Sequence, residues 1–151
     1  MAQQSFEHLV KNNSAKAGWN ISKLNDKQAM LKFIMDSGRV QRVYITKFDS
    51  ILEFSVPSAA VFECLDDIPN LISSILLTKN TQYKIGEWFV ENIQDKLVYS
   101  IIQNVNIDSI NFGYFISLVH FLVSECDKFD GFLAELYQYN QHINSANFSV
   151  I

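Results

Sequence analysis

Apolar residues spaced three and four apart dominate the C-terminal third of the chain: Phe112, Phe115, Val119, Leu122, Cys126, Phe129, Leu133 and Leu136. That spacing puts all eight on one helical stripe and predicts a single helix over residues 108–139. Asp108 is placed to cap it, since a short side-chain oxygen there accepts from an orphan first-turn amide. The stripe is expected to pack on a sheet along its whole length. The first half of the helix is apolar nearly all round, with Ile116 and Val123 opposite the stripe. This extra face is expected to meet another helix or a second subunit. The second half is amphipathic, with Glu125, Asp127, Lys128, Asp130 and Glu135 free to face water.

The sheet is read from alternation upstream. Residues 5–16 form a first helix, with Phe6, Leu9 and Val10 on one face and Gly18 to end it. Residues 19–27 read as a connector from which Trp19, Ile21 and Leu24 drop into the core. Three strands follow over residues 28–35, 40–48 and 51–56, separated by Asp36-Ser37-Gly38-Arg39 and by Asp49-Ser50. Leu31, Phe33 and Met35 share one pleat face of the first, Val43 and Ile45 one face of the second, and Leu52, Phe54 and Val56 one face of the third. Pro57 is expected to end the third strand, because proline cannot donate to a ladder. Residues 58–65 are open between a helical turn and a loop. Asp66-Asp67-Ile68-Pro69 starts a second helix, and residues 83–93 and 97–105 form a strand pair joined near Gln94-Asp95-Lys96. The predicted architecture is an α+β domain with a five-stranded, mainly antiparallel sheet in the order α-β-β-β-α-β-β-α. It occupies residues 1–139 as one domain, and the Asn/Gln-rich residues 140–151 form a flexible tail.

Charge and chemistry exclude more than they indicate. With 12 Lys and Arg against 16 Asp and Glu, scattered along the chain, no basic face exists to track phosphates, so nucleic acid is not an expected partner. The most apolar run, residues 110–123, is too short to span a bilayer and contains Asn111, Ser117 and His120. The N-terminus lacks the basic and apolar regions of a secretory signal. Cys64 and Cys126 have no metal or redox spacing and read as buried free thiols of a cytoplasmic protein. His8, His120 and His142 have no nucleophile elbow or ligand partner nearby; His120 reads as a partly buried structural histidine. The five glycines are isolated, so no phosphate-cradling loop exists. The acidic groups Glu125, Asp127, Asp130 and Glu63, Asp66, Asp67 lack the spacing of a calcium loop and read as caps and solvated faces. No catalytic, cofactor-binding or metal-ligating residue is assigned.

Tyr44 and Val56-Pro57 in the meander, Ile85-Gly86-Glu87-Trp88 and Leu97-Val98-Tyr99 in the strand pair, and Cys126-Asp127-Lys128-Phe129-Asp130 in the last helix carry a resemblance. With the element order, they resemble the YbjN family and the wider type III secretion chaperone-like fold, over about residues 5–138. The resemblance implies a small, acidic, cytoplasmic protein, often dimeric, that binds other proteins and catalyses nothing. The expected function is therefore a chaperone- or adaptor-like binding module acting as a homodimer on a protein partner. The alternative is a small ligand sensor with a pocket between sheet and helices. Trp88, Tyr44, Tyr99, Ile116 and Val123 are the candidate partner or dimer contacts, because Trp and Tyr are favoured interface anchors.

Overall fold

The computed structural model describes the backbone of residues 5–148 and the side chains of residues 5–138. Chain order is α1 (Phe6–Ala17), β1 (Ile21–Leu24), β2 (Gln28–Ile34), β3 (Val40–Phe48), β4 (Ile51–Phe62), α2 (Asn70–Asn80), β5 (Glu87–Ile93), β6 (Lys96–Asn106) and α3 (Phe112–Phe148). The sheet has six antiparallel strands in the order β1-β2-β3-β4-β6-β5, which corrects the expectation of five. The added strand is β1, inside the stretch read as a connector. Its turn is made by Asn25, whose side chain accepts from the amides of Lys27 and Gln28 at 2.9 and 2.8 Å.

Other boundaries differ from the sequence reading: Asp66 and Asp67 lie in a 3-10 turn ahead of α2, and β5 begins at Glu87 rather than at residue 83. Pro57 does not end β4, which runs on to Phe62. The proline sits where the β4–β6 register breaks, between Pro57 and Val61, so its missing amide falls beside an irregular stretch of ladder. Asp108 does not cap the long helix. It lies in a 3-10 turn, Ile107–Ser109, itself capped by Asn106, and α3 is capped by Asn111, whose Oδ1 accepts from the amide of Tyr114 at 2.9 Å. The β5–β6 hairpin turns through Gln94 and Asp95, both at positive φ, the geometry a two-residue hairpin loop needs.

One face of the sheet carries the core. Leu31, Val43, Ile45, Leu52, Phe54, Val56, Trp88, Tyr99 and Ile101 point from it into one cluster with Phe6, Leu9 and Val10 of α1, Ile72 and Leu76 of α2, and Phe115 to Phe129 of the α3 stripe. Trp19 fills the corner between them, edge-on to Phe33 at 5.2 Å and to His120 at 5.3 Å. His120 is thus exposed on one side and stacked on the other, not enclosed. Gly86, at φ 75°, lets the chain pass against α3: a Cβ there would lie 2.9 Å from Leu122 Cδ2.

The α3 stripe does not cover the sheet throughout. It is buried from Phe115 to Phe129 and partly at Leu133, but Leu136 is 37% exposed, as is the neighbouring Phe132 at 41%, and the helix continues past residue 139 to Phe148. Where α3 leaves the sheet it is latched. Asp127 bonds the Arg39 guanidinium and the Ser37 hydroxyl at 2.9 and 2.8 Å. Asp130, buried, accepts from Gln41 Nε2 and from the Ala59 amide. No helix among the described residues is long and apolar enough to cross a membrane.

Candidate functional site

Alternation leaves the second face of the sheet without helices. Along β3 the pattern is regular: Gln41, Val43 and Ile45 are buried, while Arg42 and Tyr44 between them are exposed. Cross-strand pairing extends this face from Met30 through Tyr44, Ser55 and Ile102 to Glu87, and in the next row from Pro57 through Ser100 to Phe89. In the Ser55 and Ser100 rows its exposed rings are Tyr44, at 41%, and Phe89, at 46%; Ile34, Val40, Phe48, Ile51 and Val61 are also exposed on this face.

The middle of this open face is unexpectedly closed. Ser55 and Ser100 are buried although no helix lies over them. Glu91 of β5 reaches onto this face, where its carboxylate accepts from the Ser55 hydroxyl of β4 at 3.1 Å. Because β6 lies between those strands, the Glu91 side chain must cross it. Serines at 55 and 100 leave room for that crossing, and β4 shifts register against β6 just beyond Ser55, between Pro57 and Val61. Glu53, on the same face, has its carboxyl pushed above the usual range, first by burial and then by the nearby charge of Glu91. The site therefore combines two carboxylates, two buried hydroxyls and two exposed aromatic rings.

A second concavity lies at the sheet edge. A cleft of about 340 Å³ separates α2 from β5, floored by Leu76, Trp88 and Tyr99 and rimmed by Leu77, Phe89 and Val90. Its polar groups are already engaged. Ser73 and Tyr99 share a hydrogen bond of 2.6 Å, and Asn80 binds both backbone groups of Trp88 at 2.7 and 3.1 Å. A wider hollow of about 1070 Å³ at the start of α1 is bordered by Asp26, Lys27, Lys47 and Asp49, charges of both signs.

The five candidate contacts separate. Tyr44 stands on the open face and Ile116 is half-buried on α3. Trp88, Tyr99 and Val123 are core residues at 3%, 2% and 2% exposure, with Phe129 packed 4.8 Å from Trp88 and 5.8 Å from Tyr99. They offer a partner almost no surface. The Trp88 indole N–H approaches the Tyr83 hydroxyl without making a hydrogen bond. Tyr83 itself donates to Glu125 at 2.6 Å, and burial, then that bond, pushes its phenol up to about 12. Beside the α3 stripe, Tyr83 lies edge-on to Phe121 at 5.2 Å.

Of the two cysteines, Cys126 is buried, as expected, and Cys64 is exposed, 3.3 Å from Asp67. Among the described residues no three His, Cys, Asp or Glu side chains gather to hold a metal. Sequence reasoning missed Glu53, Ser55, Phe89, Glu91 and Ser100 as a group. Alternation places them on one face, but only the β4-β6-β5 order puts them side by side. The architecture defines a sheet layered on one side by helices and open on the other. No family model and no curated protein matches the chain.

Proposed function

We propose that this chain is a non-enzymatic protein-binding module, chaperone- or adaptor-like, that engages its partner through the open face of the sheet. The observation that carries the reading is the exposure of Tyr44 and Phe89 beside half-buried carboxylates on a face no helix covers. Aromatic side chains ringed by polar ones are what a hot spot requires. The resemblance to YbjN-like and secretion chaperone-like proteins points the same way. A reducing cytoplasm suits two free cysteines, one of them exposed. Affinity capture from the native host with wild-type protein and with Tyr44→Asp/Phe89→Asp tests the reading. A protein retained by the wild type and lost from the double variant is expected; identical capture by both overturns it.

The module acts as a homodimer in this reading, because Phe132 and Leu136 emerge on α3 where it clears the sheet. Light scattering should give about twice the 17.3 kDa chain mass, and a single-chain mass at micromolar concentration refutes the dimer. The α2–β5 cleft favours a second reading, a sensor of a small apolar ligand, since its volume falls at the lower end of ligand pockets. Leu76→Trp, which fills the cleft, would then abolish ligand-induced stabilisation while leaving protein capture intact.

A further inference from the structure

Glu91 is tethered to the sheet through one hydrogen bond, from Ser55, made across β6. On the face it crosses, Ser100 is completely buried and its hydroxyl has no partner. Glu53 lies close enough for the two carboxylates to repel each other. Neither is paired with a Lys, Arg or His among the described residues, whereas Glu7, Glu63, Glu125 and Asp127 all are. A buried, unpartnered hydroxyl and two uncompensated carboxylates leave acceptor oxygens with no donor. The surrounding surface is aromatic: Tyr44 stands opposite Ser55 across β3–β4, and Phe89 opposite Ser100 across β5–β6.

We propose that this place is a receptor for an arginine side chain of the protein partner, whose guanidinium bridges Glu53 and Glu91 and lies against Tyr44 or Phe89. The inference rests on the protein-binding reading and names the chemistry of its anchor. A guanidinium supplies five N–H donors in a plane, enough to satisfy two carboxylates at once, and it is hydrated weakly enough to leave water for a half-buried site. Its face stacks on aromatic rings, which a compact ammonium does less well. Glu91 keeps its bond from Ser55 while its remaining oxygen takes the cation, and the Ser100 hydroxyl oxygen can accept from the guanidinium. A divalent metal is the poorer occupant, because among the described residues no third ligand of the His, Cys, Asp or Glu type converges here.

The test is an amide-resolved NMR titration of the intact chain with three tripeptides of the form acetyl-Gly-Xaa-Gly-amide, in which Xaa is arginine, lysine or uncharged citrulline. The arginine probe is expected to shift Ser55, Glu91 and Ser100 and to bind about tenfold more tightly than citrulline, with lysine between them. Glu53→Gln and Glu91→Gln should each weaken the arginine probe roughly fivefold or more, and Glu7→Gln on α1 should not. The Glu53 side chain makes no hydrogen bond among the described residues, so Glu53→Gln carries the test if Glu91→Gln proves unstable. Absence of a saturable shift, equal affinity for citrulline, or indifference to both glutamine variants overturns the proposal. If a captured partner is lost from Tyr44→Asp/Phe89→Asp but kept by Glu53→Gln/Glu91→Gln, the open face binds protein without an arginine anchor. The receptor then falls while the protein-binding reading stands.

Discussion

Replacing Asp130 with alanine is expected to cost roughly 2–4 kcal/mol of folding free energy, an unusual amount for a charged residue. The figure follows from what its two oxygens hold. One accepts from the Ala59 amide at 2.8 Å and the other from Gln41 Nε2 at 2.9 Å, in a place where Asp130 and Gln41 are 7% and 2% exposed. Ala59 lies in the stretch where β4 and β6 lose register, so no strand carbonyl replaces the lost acceptor. Each donor left unpaired and dry costs about 1–3 kcal/mol. Part of this is returned because the carboxylate is itself strained by its surroundings. Burial pushes its pKa upward, against the pull of Gln41, Ala59 and Arg39. In a chain of this length the loss should lower Tm by roughly 5–15 °C. Asp130→Asn keeps an acceptor for Ala59 and lets the Gln41 amide turn over, so it should cost less than about 1.5 kcal/mol. Urea unfolding followed by the fluorescence of Trp19 and Trp88, both packed into the core, gives the two values directly. An alanine variant within about 0.5 kcal/mol of wild type would falsify the idea that this carboxylate fastens α3 to the bulge.

The two aspartates of the latch should respond to acid in opposite senses. The folded-state pKa of Asp130 lies above its usual 3.8, so its ionisation takes stability away as pH rises through that raised value. For Asp127, burial pushes upward, but bonds from Ser37 and Arg39 hold the folded value below 3.8, so its contribution is present above 3.8 and is lost as pH falls through the lowered value. Stability measured from pH 3 to 6 should therefore steepen its acid loss in Asp130→Asn and flatten it in Asp127→Asn; the same profile for both variants refutes the assignment. Asn80→Ala unpairs both backbone groups of Trp88 on the outermost strand, at a cost of about 1–3 kcal/mol, and should promote self-association visible by light scattering. Ellman's reagent should modify one thiol of the native chain, exposed Cys64, and two in denaturant. Cys126 is shielded, and burial, then the charges of Asp130 and Asp127, pushes its thiol far up.

Most of the fold was legible because its signals are local. The inward sets of β2, β3 and β4, the hairpin at Gln94-Asp95 and the α3 stripe are all written at spacings of two, three or four residues. What failed were features decided from outside the segment. β1 has only four residues, Ile-Ser-Lys-Leu, too few to alternate convincingly, and it is a strand because β2 offers it an edge. Pro57 ends strands that need its amide, and β4 tolerates it because the ladder is irregular there. Tyr44 could be proposed as a surface aromatic, but Trp88 and Tyr99 are equally aromatic and are buried by α2 and α3. The carboxylate and hydroxyl group at Glu53, Ser55, Glu91 and Ser100 had no sequence signature at all. Those residues meet only because β6 returns between β4 and β5.

The long stripe shows the same limit in a single element. Its 3-and-4 spacing runs unbroken from Phe112 to Leu136, yet Phe129 is in the core and Leu136 is not. Periodicity specifies which side of a helix is apolar, whereas cover depends on how far the sheet reaches. Six strands about 4.8 Å apart make a layer only about 24 Å wide between its outer strands. A helix of 37 residues, at about 1.5 Å per residue, is roughly 55 Å long, more than twice that width. The excess has to leave the sheet somewhere, and Arg39 marks the place. Its guanidinium lies against Gly131, where an added Cβ would stand 2.9 Å from Nη2, and it holds Asp127 one turn earlier. Apolar residues before that point are spent on the domain's own core. Phe132 and Leu136 beyond it are available to a second subunit, and they lie on a different surface from the open sheet face. Dimer formation and partner binding are therefore separable: Leu136→Lys should give a single-chain mass and still capture the partner that Tyr44→Asp/Phe89→Asp loses.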